Sequence, residues 1–491
     1  MTRETDSRAV PRSLDLLDPQ LRLLCDTYLQ AARVPGASIA VVAGDRGYHY
    51  AYGVKSVLTG EPVTADTSFN IGSCSKAFVS AAVASLVAEG LVAWDDPISH
   101  FVPEFQLYDP EVTRQVTLRD LGANRLGLPR VGLTEFGLDP AFPPEHVLAR
   151  LRHTAPAYPF RDRFTYVNAG HIANAVAVGR ITGKGYLGTL RQRILEPLGM
   201  RSTSGGAAAC AELPDVAGWH CLVEGEVVAV DPVFTDLYLG AGGMVVSGAD
   251  AVRWLLLHLH GGAVDGRGVI PREALTETHR PHAVGRPGEE FVGLFYPGAN
   301  LGAYALGWAV SDFEGHPLVC HSGNDLGCGA MTMLLPRAGI GVAVYANVAG
   351  HASVALAYAI AARLLGVAPR DWTAYFEVAL AQVSGPAPKA AEPEPPADLC
   401  AYEGVYGHPA DGPLVIERTG DALTGCLRDG YRWEFTLEPA GGHRFAVRFA
   451  HPELRAGLPA ALEFTMSGGR ASAVALLRWQ VPRVFRREEA P

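Results

Sequence analysis

Residues 71–76 read Ile71-Gly72-Ser73-Cys74-Ser75-Lys76 and run straight into Ala77–Glu89, an apolar-faced stretch that stops before Gly90. This is the pattern of a loop entering a helix, with the glycine supplying the stop. Residues three apart share a helix face, so the Lys76 amine reaches back to the Ser73 hydroxyl. The free N–H groups and dipole at a helix start favour negative charge developing on that serine. Taken alone, the pattern also fits a capping serine beside a surface lysine. Composition separates the two readings. Of 41 basic residues only four are lysine, namely Lys55, Lys76, Lys184 and Lys389, so this sequence uses arginine wherever any cation serves. A general base must shed its proton near neutral pH, which a desolvated lysine does and an arginine does not. Ser73 and Lys76 are therefore read as a nucleophile and its base.

Two later stretches supply partners. Phe164-Thr165-Tyr166-Val167-Asn168-Ala169-Gly170-His171 marks a second loop-to-helix junction, with Thr165 or Asn168 as candidate caps. A phenol beside an ammonium can shuttle protons, and an Asn amide can hold both an amine and a substrate carbonyl. Cys320-His321-Ser322-Gly323-Asn324 precedes two strand patterns, Ala330–Leu335 and Ile340–Tyr345, joined through Pro336–Gly339. A strand edge of that kind can offer a backbone N–H that pairs with the Ser73 N–H as an oxyanion hole, and glycine permits the close approach. By itself the first stretch is a weak signal that also fits a cap with a core tyrosine, and the second by itself fits a hydrogen-bonded loop histidine somewhat better.

The remaining pattern is mixed and then changes character. An amphipathic helix is expected over Leu14–Ala32 and a hairpin over Ala37–Ala43 and Tyr48–Val54, with further helices at Ser73–Glu89, Gly170–Thr182, Gly248–His260 and Ser353–Leu365. Residues 382–397 are rich in proline and poor in apolar side chains, the composition of a linker. Beyond them short strand patterns alternate with Gly, Asp and Pro turns, as at Leu414–Glu417, Ala422–Leu427 and Arg444–Phe449. The expected organisation is a mixed domain over 1–381, the linker, and an all-β domain over 398–491.

Bulk properties narrow the function class. With 491 residues and 48% apolar side chains the chain can fill more than one core. A formal charge of −10 with no basic block argues against nucleic acid or an anionic membrane as partner. The first 29 residues hold no apolar run of the secretory kind, and no stretch has the roughly 18 apolar residues of a membrane span, so a cytoplasmic location is expected. Eight scattered cysteines without a C-x-x-C pair fit reduced thiols. His258 and His260 form an H-x-H pair at the end of an apolar run without an H-E-x-x-H motif, so no metal is expected, and no cofactor either.

The order S-x-x-K, Y-x-N, H-S-G resembles the penicillin-binding protein and class C β-lactamase family, with its branch of esterases, D-peptidases and acyltransferases. Ala241-Gly242-Gly243-Met244 and Leu306-Gly307-Trp308 look like that branch too, and the likeness spans residues 15–370. It implies an α+β fold: a β-lactamase/transpeptidase-like antiparallel sheet flanked by helices, with a helical subdomain carrying Tyr166. Carried over, Ser73 attacks a carbonyl while Lys76 and Tyr166 handle its proton. Asn168 and His321 contact substrate, and the Asn324 and Ser73 amides form the oxyanion hole. His321 stands where many members have lysine, which disfavours a dedicated β-lactamase. Ala123-Asn124-Arg125-Leu126-Gly127-Leu128-Pro129 occupies the place of a segment that often reads H-T-S-G, so the pocket wall there is expected to differ. The strands after Tyr402-Glu403-Gly404-Val405-Tyr406-Gly407 resemble a lipocalin-like barrel that follows some members.

The resulting expectation is a serine hydrolase or transacylase with an ester, thioester or amide donor, free or bound to a carrier protein. Penicillin-binding-protein-type thioesterases, which release or cyclise peptides in secondary metabolism, share the resemblance. The alternatives are an intracellular esterase or D-amino-acid peptidase, and a non-catalytic ligand-binding receptor on the same scaffold. Oligomeric state is left open.

Overall fold

The computed structural model describes residues 15–16, 18–129, 142–232, 236–285, 296–384, 398–429, 434–452, 460–477 and 483–488. Helix α1 (Pro19–Ala31) is capped by Asp18, which accepts from Gln20 N at 2.7 Å, and carries proline in its first turn. It therefore starts later than the apolar periodicity predicts, because Asp15–Leu16 pairs as a short parallel strand instead. The hairpin β1 (Gly36–Ala43) and β2 (Arg46–Gly53) follows, then α2 (Lys76–Ala88), α3 (Asn168–Thr182) and α4 (Gly248–Leu259). Strands β3 (Ala309–Phe313), β4 (His316–Asp325), β5 (Cys328–Leu335) and β6 (Ile340–Ala346) precede α5 (Ala352–Leu365).

One nine-stranded sheet unites the two ends of this region in the order Asp15–Leu16, β2, β1, β6, β5, β4, β3, Gly302–Tyr304, Ala283–Gly285. Apart from its first pair it is antiparallel. Strands β5 and β6 are buried along their whole length, which is why their sequence reads as continuous apolar runs rather than as an alternation. Successive side chains still point to opposite faces. Ile39, Val41, Val342 and Val344 join α1 and α5 in one core, and Ala40, Val42, Ala343 and Tyr345 join α2 and α4 in the other.

The C-terminal region is a closed, eight-stranded antiparallel barrel from Gly404–His408 to Arg483–Arg487. Tyr406, Ile416, Phe445, Phe464 and Phe485 fill it. Closure through the pairing of the first and last strands removes both sheet edges. The expected linker lies outside the described residues, except for Gln382–Ser384, which end a helix. The barrel touches both parts of the main domain. Leu326, in the turn between β4 and β5, packs against the barrel core. Arg150, at the end of the helix Pro144–Arg150, meets Asp429 at 2.5 Å and the Ala410 carbonyl at 3.3 Å.

Candidate active site

Three backbone segments converge on the turn that opens α2. Gly72–Ser75 is a tight helical turn, so Ser73 sits one turn ahead of α2 rather than inside it. The turn is fastened on several sides: Asn70 Oδ1 accepts from Gly72 N at 2.6 Å, and Ile71 N donates to Met244 O at 3.1 Å. Met244 N in turn donates to Ser75 Oγ at 3.1 Å, and Cys74 Sγ donates to the His321 carbonyl at 3.0 Å. Burial pushes the Cys74 thiol up to about 12, so the cysteine beside Ser73 holds its proton and does not compete as a nucleophile.

Lys76 Nζ donates to Ser73 Oγ at 2.9 Å and to the Ala241 carbonyl at 2.7 Å, with its side chain wholly buried. Tyr166 OH donates to the same Ser73 oxygen at 2.6 Å. The Lys76 ammonium position lies 4.8 Å from the centre of the Tyr166 ring. Ser73 and Tyr166 are partly exposed, so the two donors meet on an oxygen that a substrate can reach.

Strand β4 passes behind this group with almost no clearance. A Cβ on Gly72, whose φ is +47°, would stand 2.9 Å from Asn324 N, and a Cβ on Gly323 would stand 3.1 Å from Ser73 N. The Ser73 and Asn324 amides are thus held side by side by two glycines that let backbones touch. The Asn324 side chain does not enter this arrangement; its Oδ1 accepts from Gly350 N at 3.2 Å.

His321 and Asn168 lie deeper. Asn168 is 2% exposed and is the first residue of α3. Val167 holds the cap position with no side-chain cap, so neither Thr165 nor Asn168 caps α3, contrary to the sequence-based expectation. His321 is 1% exposed. Its Nδ1 lies 2.6 Å from the Ser322 carbonyl, which can only accept, and its Nε2 lies 3.0 Å from Tyr304 OH. Nδ1 therefore carries the proton and Nε2 accepts from the phenol. Burial, with the Lys76 charge adding to it, lowers the imidazole to about 3. His321 is a neutral ring at physiological pH and supplies no cation to a substrate carboxylate.

Several residues of the site carry no motif. Asn124, wholly buried at φ +52°, accepts from Val167 N at 3.1 Å through Oδ1 and from Thr165 N at 2.8 Å through its carbonyl. It braces the Tyr166 loop from behind. The departure of its segment from H-T-S-G was the signal in the sequence, and asparagine tolerates the positive φ that the fold imposes there. Asp120 anchors that segment: its carboxylate accepts from Thr117, from Arg125 at 2.6 Å and from Arg161 at 2.7 and 2.9 Å. Burial raises this carboxyl, but Arg161, Thr117 and Arg125 more than reverse that and leave it below the usual range.

Asp120→Ala is accordingly expected to lower unfolding stability by about 2 kcal/mol at pH 7, less than for a fully buried pair, since it removes the buried partner of Arg125 and Arg161, whose own side chains reach solvent. The folded-state pKa is depressed, so this contribution is present above the unfolded carboxylate value and is lost as pH falls through the folded value. Urea unfolding of wild type and variant at neutral and acid pH should show the gap closing on the acid side.

Comparison with known proteins gives the same assignment. The chain is 28% identical over 509 residues to the unguisins hydrolase ungD' of Aspergillus campestris, covering 95% of this chain and 90% of the relative. The solved structure of the octameric penicillin-binding protein homologue from Pyrococcus abyssi superposes with a TM-score of 0.64 at 22% identity, over 95% of this chain and 99% of that one. A class C β-lactamase superposes with a TM-score of 0.58 at 19% identity, over 72% and 97%. Residues 21–365 match the family described as Beta-lactamase, and the chain belongs to that family of serine hydrolases.

Proposed function

We propose that this protein works through an acyl-Ser73 intermediate on an ester, thioester or amide of peptide-like structure, as a hydrolase or transacylase in secondary-metabolite biosynthesis. The observation that carries this reading is the pair of hydrogen bonds from Lys76 and Tyr166 that converge on Ser73 Oγ. With Lys76 as the neutral amine, the Ser73 hydroxyl turns its hydrogen to Nζ and passes that proton as it attacks, while Tyr166 keeps its hydrogen bond to Oγ. The Oγ–carbon bond forms, the Ser73 and Asn324 amides take the charge on the carbonyl oxygen, and the bond to the leaving heteroatom breaks as the Lys76–Tyr166 pair returns the proton to it. Water, or an acceptor amine or alcohol, then attacks the acyl carbon and Ser73 recovers its proton. Lys76 and Tyr166 are the acid–base residues here. Asn168 and His321 act from behind the substrate, as positioning residues.

Two observations bear on the substrate. The neutral His321 leaves a free carboxylate without its cation, which disfavours penicillins as natural substrates. The relatives named unguisins hydrolases favour hydrolysis as the outcome. Intact-protein mass spectrometry tests the reading. Wild type and Ser73→Ala are each given a simple ester, a penicillin and a peptidyl thioester. An acyl adduct on wild type alone, strongest with the peptidyl donor, is the expected result. Turnover by Ser73→Ala at the wild-type rate would overturn it, and wild type inert to every donor would favour the ligand-binding alternative.

A further inference from the structure

The Ala241 carbonyl, which accepts from Lys76 Nζ at 2.7 Å, belongs to a turn packed between two helices. The Tyr238 carbonyl accepts from the Ala241 and Gly242 amides at 2.7 Å and from Gly243 N at 3.2 Å, so residues 238–243 wrap around a single oxygen. Gly240 lies against α3, where a Cβ on it would stand 2.3 Å from the His171 carbonyl oxygen. On the other side Leu237, wholly buried, packs on Val147 of the helix Pro144–Arg150, with Phe142 and Tyr238 flanking the pair.

Arg150 follows Val147 by three residues, so the two are neighbours on that helix surface. Its guanidinium grips the barrel at two places: Nη2 donates to Asp429 at 2.5 Å and Nη1 to the Ala410 carbonyl at 3.3 Å. The two charged side chains are only 16% and 23% exposed, so salt screens this pair less than an open one. The barrel thus reaches the turn behind Lys76 through one short helix.

We propose that Arg150 is a positioning residue: by tying its helix to the barrel at Asp429 and Ala410, it holds the Leu237–Gly243 turn, and with it the Ala241 carbonyl, where Lys76 Nζ meets Ser73 Oγ. This rests on the acyl-Ser73 reading and gives the barrel a part in acylation. Lys76 is held between the nucleophile and Ala241, so a displaced carbonyl draws the amine off Ser73. A misplacement of about 1 Å at such a contact costs about a hundredfold in rate. The Arg150–Asp429 pair takes no part in the proton transfer itself, so its loss slows acylation and leaves donor binding as it is.

The test uses the full chain. Single turnovers of p-nitrophenyl acetate over a range of enzyme concentrations give the maximal acylation rate and the half-saturating concentration, and intact mass reports the acetyl-Ser73 adduct. Arg150→Ala and Asp429→Ala should each lower the maximal rate by about tenfold to a hundredfold, with half-saturation unchanged within about twofold. The double variant should be no slower than either single one, because both act through one contact. Arg150→Lys, which still reaches Asp429, should stay within about threefold of wild type. Arg193→Ala breaks the ion pair with Glu89, away from this path, and should leave the rate unchanged. Asp429→Ala, made on the barrel, decides the matter should Arg150→Ala not fold. Rates within about threefold of wild type in both single variants, losses that multiply in the double variant, or an equal loss in Arg193→Ala would overturn the proposal. Absence of any adduct on wild-type Ser73 would instead bring down the acyl-enzyme reading, and this one with it.

Discussion

Lys76→Arg is expected to lower kcat by about 10²- to 10⁴-fold on any donor the wild type accepts, the range lost when a positioned acid–base group is removed. The substitution keeps a positive charge, so a role that needed only charge would survive it. The side chain is wholly buried and spans Ser73 Oγ and the Ala241 carbonyl at 2.9 and 2.7 Å. A guanidinium is larger, planar and unable to give up its proton at these pH values, so it cannot alternate between accepting and returning the serine proton. Lys76→Met, which keeps the length and removes the charge, should lose activity by a similar factor, and the Ser73 adduct should form slowly in both. Steady-state kcat and the adduct time course decide the point. Activity within tenfold of wild type in Lys76→Arg would remove Lys76 from proton transfer.

Gly323→Ala should cost about 10²- to 10³-fold in kcat, the penalty of disabling one oxyanion donor, together with about 1–3 kcal/mol of stability from overpacking. The added methyl would stand 2.0 Å from the Ile71 carbonyl oxygen and 2.9 Å from its carbon, both backbone atoms that no rotamer change can move aside. β4 must therefore shift away from the turn that carries Ser73, and the Asn324 amide moves with it. Thermal unfolding separates the two effects: a variant that folds with a modest loss of stability yet retains full kcat would show that the Asn324 amide does not stabilise the oxyanion. The β4–β5 turn also carries Leu326 against the barrel core, so the barrel and the oxyanion strand share one support. This gives the C-terminal region a mechanical connection to the site.

What the sequence determined by itself was local. Ser73 and Lys76 meet because three residues along one helical turn bring them together, a contact that spacing alone dictates. The scarcity of lysine marked Lys76 because chemistry, not packing, requires an amine there. Strands β5 and β6 were legible because burial on both faces leaves continuous apolar runs. Short barrel strands were legible from turn residues, whereas closure depends on pairing Gly404–His408 with Arg483–Arg487, which local alternation does not encode. The tertiary structure alone decided the rest of the site. Tyr166 reaches Ser73 across 93 positions, and the Lys76 partner on Ala241 is a backbone carbonyl, which has no residue signature. Asn124 and Tyr304 act through the segments and side chains they are folded against. The neutral state of His321 follows from burial and from the Ser322 carbonyl and Tyr304 hydroxyl on its two nitrogens. Long-range contacts of this kind are settled by how the sheet, helices and barrel pack, and the residues that make them look ordinary until the chain is folded.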